Sequence, residues 1–351
     1  MDSIYMPDVS AAIDRLNLPS DEEARLDMLH DYFPDHLIQA NDTSTHCHVS
    51  LQRSNYDYCE DLGVGLGWLG VNRDDVRNFY VSGPQSFLCL LESWIPYGWS
   101  MFLANNDYRP QSIAVIHFDD HTDMMSPKIG LYKTGWKDML THSAVDMCAP
   151  ETMKQAVLSG AITLGSMMTP LLHHFDRIDV FHLTYGRSRA FRIIDRTTIA
   201  DDLLDPGLRR MAVDISSWGT SAQRDASRYL RTPEIAEVVN AIHPTMDIFL
   251  HIDMDYFNNR YNGSDEWKYH PARHDQPLEL QKEEMTRICE SLVGAGLVER
   301  IRHVSIGISP SFYPSEFWEE AVTFLLHGLV ASGLPVSDLL KYVGTTRRKE
   351  A

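Results

Sequence analysis

Residues 113–123 read IAVIHFDDHTD. The first six positions form an apolar run with no chain breaker, which predicts a buried strand. Asp119, Asp120, His121 and Asp123 crowd its carboxyl end. A strand apolar on both faces belongs to a parallel sheet covered by helices on either side, not to a sheet with one wet face.

The surrounding text fits that reading. "NFYVSG" (78–83) precedes it, followed by an apolar stretch, "SFLCLLESWIPYGWSMFLAN" (86–105), that reads as one helix. Further strands are expected at "IDVFHL" (178–183), "DIFLHI" (247–252) and "HVSIGI" (303–308). Helices are expected at 232–242, with Thr232 as N-cap and Pro233 at the first helical position, and at 279–296 and 314–331. Strands alternating with helices predict an α/β fold: a mostly parallel central sheet flanked by helices. The strands within 180–215 come without helices between them and suggest an antiparallel insertion. In such sheets a ligand site lies beyond the carboxyl ends of the strands.

Residues 1–80 are more polar and read as an extension or lid. A helix is expected over "SDEEARLDMLHDYF" (20–33), capped by Ser20, and a flexible loop over "GVGLGWLG" (63–70). Residues 81–335 would then be the catalytic domain and 336–351 a tail.

The chain has 351 residues and a formal net charge of −18, so no basic face is available for nucleic acid. An acidic surface suits cationic ligands. Five scattered cysteines, with no CxxC pair, suggest a reduced, cytoplasmic protein. The opening MDSIYMPDVS lacks a signal peptide's basic and apolar regions. No apolar window approaches the roughly 20 residues of a membrane span.

The chemistry-bearing text comes in two clusters. Asp119, His121 and Asp123 follow one strand at spacing two, so continued extended geometry would turn all three to one side. Asp253 and Asp255, in "HIDMDYFNNRYNG" (251–263), follow another in the same way. Taken singly, the first cluster reads equally well as a solvated loop with an incidental His, and the second reads better as turn or helix-capping acids. Brought together, they place four carboxylates and an imidazole in one crevice. Like charges at that separation raise one another's pKa. Two divalent cations would balance a charge of −4, and a carboxylate-rich set with some imidazole suits a hard ion such as Mn²⁺. His117 and His251 lie two residues before Asp119 and Asp253. They read either as orienters of the ligands or as hydrogen-bonded core histidines.

"DDHTD" (119–123) with "DMD" (253–255) resembles the paired motifs of the ureohydrolase (arginase and agmatinase) superfamily. "ITLGSMMTPLL" (162–172) and "VSIGISPSFYP" (304–314) are similar to its divergent peptide-arginase branch, which converts arginine in a ribosomally made precursor peptide to ornithine. The resemblance spans about residues 80–325. It implies the three-layer arginase-like fold, two Mn²⁺ and urea release from a guanidinium, with an arginine-containing precursor peptide as partner. Asp119 and Asp253 would bridge the metals. Asp123 would complete one shell and serve in proton transfer, and His121 and Asp255 would complete the other.

Three further candidates follow from the resemblance. Gln85, in "SGPQSFL" (82–88), stands where the family carries a metal-binding His, and so is a weak ligand, a positioning group or no ligand. The late strand lacks the family's guanidinium-holding Glu, which leaves Glu316 as the candidate, with Asp265 and Glu266 nearby. His142 is a candidate proton shuttle. A first-turn helical acid and a surface His are the plain readings of Glu316 and His142. Three alternatives stay open: a ureohydrolase acting on a free guanidine such as arginine or agmatine, a one-zinc deacetylase of the same fold, and a non-catalytic peptide-binding scaffold.

Overall fold

The computed structural model describes residues 9–34, 36–53, 58–186, 189–201, 203–216, 226–263, 268–269 and 272–346. Its centre is an eight-stranded sheet. In spatial order the strands are Ala190–Ile193, Arg228–Thr232, Arg177–Leu183, Ser112–Phe118, Asp247–Asp253, Ile301–Gly307, Ser86–Cys89 and Tyr80–Ser82. The six inner strands run parallel, and the first and last pair antiparallel to their neighbours.

Both faces of this sheet are buried, as the continuous apolar runs require. Alternation divides the strand Ser112–Phe118 between two cores. Ile113 and Val115 join a core with Trp99, Phe102, Met153 and Leu171, on helices Ile95–Asn105, Pro150–Leu158 and Met168–His174. Ala114, Ile116 and Phe118 join the opposite core. There they meet Trp68, Val238, Ile288 and Leu325, on helices Gly63–Leu69, Ile235–Ala241, Leu278–Gly294 and Trp318–Ala331. The result is the expected three-layer α/β arrangement.

Two smaller sheets flank the main body. Val9–Asp14, His46–Arg53 and His36–Asp42 form an antiparallel sheet around Ile13, Leu29, Phe33 and Val49. Asp195–Asp201, Asp205–Asp214, Ile129–Tyr132 and Gly135–Asp138 form a second, so the antiparallel insertion expected within 180–215 is met only in part: Arg177–Leu183 and Ala190–Ile193 belong to the main sheet, and residues 129–138 complete the small one.

Several local expectations need correction. The stretch 86–105 is not one helix. Ser86–Cys89 is a buried parallel strand, a turn follows over Glu92–Trp94, and the helix starts at Ile95 with Pro96 in its first turn. Pro has no N–H to lose there and its φ suits a helix start. The glycine-rich 63–70 segment is a helix, not a loop. Gly65 faces Trp318 so closely that a Cβ would lie 2.2 Å from that ring, so only glycine lets the two elements meet. The first long helix is capped by Asp21, whose carboxylate accepts the Ala24 N–H, rather than by Ser20. Residues from 337 form a helix, Ser337–Thr346, that buries Leu339 and Val343 in the main core. Among the described residues no helix is long and apolar enough to cross a membrane.

Candidate metal centre

The parallel register pairs His117 with His251 and Phe118 with Ile252, which brings the two acid-bearing strand ends side by side. The next strand over pairs Gly307 with Asp253 and Cys89 with Gly307. Four carboxyl ends therefore border one crevice, and Glu92 reaches it from the turn just beyond Cys89.

Three triads of ligand atoms form there, the atoms of each within 4.8 Å of one another: two border the cavity, Glu92 with Asp119 and Asp123, and Asp119 with His121 and Asp255, and a third joins Asp119 to His117 and His251. Asp119 belongs to all three. His121 Nδ1 lies 2.9 Å from Asp255 Oδ2 and 3.6 Å from Asp119 Oδ1. The His121 N–H donates to Asp119 Oδ1 at 2.5 Å, and the Asp120 N–H donates to Asp255 Oδ1 at 3.1 Å. Asp253 lines the same cavity but stands outside all three triads. Its carboxylate accepts from the Asp255 N–H at 3.0 Å and from Ser309 Oγ at 2.8 Å.

The expected extended geometry ends at Phe118. Asp123 reaches the crevice through a left-handed backbone, φ +51°, and its carbonyl accepts the Met168 N–H at 3.0 Å. A non-glycine residue held there stores on the order of 1–3 kcal/mol, as is common where a side chain must be aimed. Ser309 and Ser311, across the cavity, also have positive φ.

Electrostatics make the cluster costly for the bare chain. Burial, then the charges of Asp253, Asp119 and Asp123, push the Glu92 carboxyl well above the carboxylate range. Burial and Asp123 do the same to Asp119, and burial and Asp255 to Asp253. Burial moves Asp123 up to about 6. Burial alone would lower His121, but the Asp119 and Asp255 carboxylates outweigh it and hold the imidazole up to about 12. Asp119 Oδ2, Asp123 Oδ2 and Glu92 Oε1 are buried without a hydrogen-bond partner. Three orphaned acceptors within one triad fit a bound cation, because buried carboxylate oxygens otherwise lose hydration with nothing in return. These buried acid and imidazole groups can hold metal ions.

His117 and His251 stack beneath the centre, with Nδ1 atoms 2.8 Å apart. His251 Nε2 comes to 2.9 Å from Glu92 Oε1, out of line for a hydrogen bond. His117 Nε2 faces the His121 carbonyl at 3.2 Å. Both histidines therefore touch candidate ligands. Burial lowers both, His251 to about 3, so each is a neutral ring.

The cavity above, about 310 Å³, is lined on its outer side by Met125, Leu164 and Phe312. Phe312 stands edge-on to His121 with ring centres 5.3 Å apart.

Three sequence candidates lie elsewhere. Gln85 precedes the strand Ser86–Cys89 and its carbonyl accepts the Val304 N–H, so it stands at the amino end of the sheet, a strand's length from the crevice. Glu92, at the other end of that strand, occupies the crevice instead. His142 is exposed, at φ +59°, with Nδ1 3.2 Å from the Tyr132 hydroxyl beside the smaller sheets. Glu316 is exposed on the turn Ser315–Phe317 and accepts from Arg260 at 3.0 Å. Asp265 and Glu266 lie outside the described residues.

Sequence reasoning gave Asp120 no role and passed over Arg273. Asp120 is buried and accepts from Arg273 Nε at 2.6 Å, Asn259 Nδ2 at 3.1 Å and Thr184 Oγ1 at 3.2 Å. Arg273 Nη1 also lies 3.1 Å from His121 Nε2, so this ion pair ties the chain after the second cluster to the first. No family model matches the chain, and no curated protein matches it.

Proposed function

We propose that this chain is a binuclear manganese hydrolase that removes urea from the guanidinium of an arginine residue in a precursor peptide and leaves ornithine. One observation carries the reading: two ligand triads share the Asp119 carboxylate at adjacent parallel strand ends. The paired "DDHTD" and "DMD" motifs, similar to those of ureohydrolases, support it. Carboxylates with a single imidazole favour a hard ion such as Mn²⁺ over a thiolate-seeking one. Glu92 adds a further carboxylate to the set and deepens that preference.

Glu92, Asp119, Asp123, His121 and Asp255 would hold the two cations, which would supply Lewis acidity and a lowered pKa for the attacking water. The side chains do the rest. The acidic crevice draws in a guanidinium and excludes anions. Asp123, at the cavity wall, takes the proton released as the water oxygen bonds to the guanidinium carbon. It returns that proton to the departing nitrogen as the C–N bond breaks. The nitrogen stays on the peptide as the ornithine amine. His117 and His251 hold the ligand-bearing strand ends from below.

The peptide substrate is favoured over free arginine by the cavity's rim. Met125, Leu164 and Phe312 line it, and among the described residues the nearby Arg273 is already engaged by Asp120 at 2.6 Å and so is not open to pairing with a free α-carboxylate. The test is mass spectrometry of arginine-containing peptides and of free arginine incubated with the chain and Mn²⁺. A peptide mass loss of about 42 Da with matching urea is the expected hydrolysis product. Turnover of free arginine alone would move the assignment to a small-guanidine ureohydrolase. Metal binding with no turnover of either would move it to a binding scaffold.

A further inference from the structure

We propose that Asp146, Cys148 and His174 form a separate metal site for a thiolate-accepting divalent cation of the zinc class. Their ligand atoms lie within 4.8 Å of one another. Cys148 Sγ and His174 Nε2 are 3.6 Å apart. Tetrahedral zinc, with sulfur at about 2.3 Å and nitrogen at about 2.0–2.1 Å, sets those two atoms about 3.6 Å apart. The pair is thus already at its ligating separation, and only the Asp146 carboxylate needs a side-chain adjustment.

The frame is fixed on both sides. Asp146 and Cys148 occupy the turn before helix Pro150–Leu158, and Asp146 Oδ1 accepts the Cys148 N–H at 2.8 Å. Thr152, in that helix's first turn, accepts the Asp146 N–H at 3.0 Å. His174 is the last residue of helix Met168–His174. Arg109 opposes a cation here, though Asp107 lies 3.5 Å from its guanidinium; burial holds the Cys148 thiol above its ordinary value, so a metal ion would have to displace its proton. A thiolate and a carboxylate together neutralise a divalent ion.

Three protein ligands leave a fourth position open, the pattern of reactive rather than purely structural zinc sites. Asp146 and His174 border a cavity of about 360 Å³ walled by Trp136, Pro170 and Met211. The open position therefore faces a space that a water or small ligand can enter. The thiolate separates this site chemically from the acidic crevice, whose triads contain no sulfur.

Cobalt(II) reads the difference directly, because a cobalt–thiolate bond gives a near-ultraviolet charge-transfer band and carboxylate or imidazole ligation does not. The metal-stripped chain titrated with Co²⁺ should develop that band, and excess Zn²⁺ should remove it. The band should persist in an Asp119→Asn/Asp255→Asn double variant and vanish in Cys148→Ser. His174→Ala should weaken Co²⁺ binding at least about tenfold, as the loss of a direct ligand should exceed the loss of an outer partner. No band in the intact chain, or a band that survives Cys148→Ser, overturns the site. If Cys148→Ser does not fold, alkylation of the unaltered chain decides. Zn²⁺ should protect Cys148 from iodoacetamide, and equal labelling with and without Zn²⁺ means a thiol–imidazole contact only.

Discussion

Glu92 lies across Gly307 so closely that a Cβ on Gly307 would come within 2.6 Å of Glu92 Cγ. The missing side chain at the end of one strand is what allows the carboxyl from a neighbouring strand's turn into the crevice. Gly307→Ala should therefore displace Glu92 and weaken one bound cation by roughly the 10- to 100-fold typical of disturbing a ligand's support. Glu92→Gln should cost more, since it removes a charged ligand. Mn²⁺ titration followed by electron paramagnetic resonance reads both variants. Unchanged affinity in Glu92→Gln would remove Glu92 from the site.

Asp119 is the only residue common to the two triads that border the cavity. Asp119→Asn should lower affinity for both cations, whereas His121→Ala should affect one of two. Metal-to-protein ratios after dialysis should approach zero for the first and one for the second. A ratio of one for both would mean that Asp119 does not bridge.

The layered α/β architecture and the pairing of the two acid clusters are legible in the sequence because apolar runs and motif spacing are local properties. Glu92 is not, for a local reason as well. The apolar run through 86–105 hides the change from strand to helix, and a residue inside a continuous helix would not stand at a strand end. Pro96 was the available signal: a proline in a first turn dates the helix to Ile95 and frees 86–89 to be a strand. The Asp120–Arg273 ion pair spans 153 positions and leaves no mark on either local pattern. Gly63–Leu69 reads as loop because glycine propensity is local, whereas its helix is set by contact with Trp318.

Gln85→Ala, His142→Ala and Glu316→Ala should each leave Mn²⁺ affinity and any turnover close to the unaltered chain. Gln85 stands at the opposite end of the sheet, and the other two are exposed with partners away from the crevice. Exposed substitutions of this kind stay within about 0.5 kcal/mol in stability. A marked loss of metal in Gln85→Ala would require a different sheet register.

Gly65→Ala places a methyl 2.2 Å from Trp318, whose ring is fully buried. Overpacking of a filled core costs about 1–3 kcal/mol. The variant should melt several degrees lower while metal affinity per folded chain is kept, because Gly65 does not border the crevice. An unchanged melting temperature would show that the helix–tryptophan contact yields freely.

The acid cluster contributes one part of the metal-free chain's pH response, and the burial-lowered His117 and His251 contribute a part of opposite sign that lies at lower pH. Burial holds Asp123 up to about 6 and Glu92, Asp119 and Asp253 well above the usual carboxylate range. Each of these folded-state pKa values exceeds its unfolded value, so above a pH of about 4 the folded chain binds more protons at these carboxyls than the unfolded one. The stability these groups contribute is complete at lower pH and is lost as pH rises through about 6 and beyond. Chelator-treated protein should therefore be destabilised by this cluster at pH 8 relative to pH 5.5, and Mn²⁺ should restore more stability at the higher pH. The cations replace the protons on the same oxygens. Thermal melts at the two pH values, with and without Mn²⁺, test this directly. A manganese effect of equal size at both would mean that the carboxylates are not the groups that receive the metal.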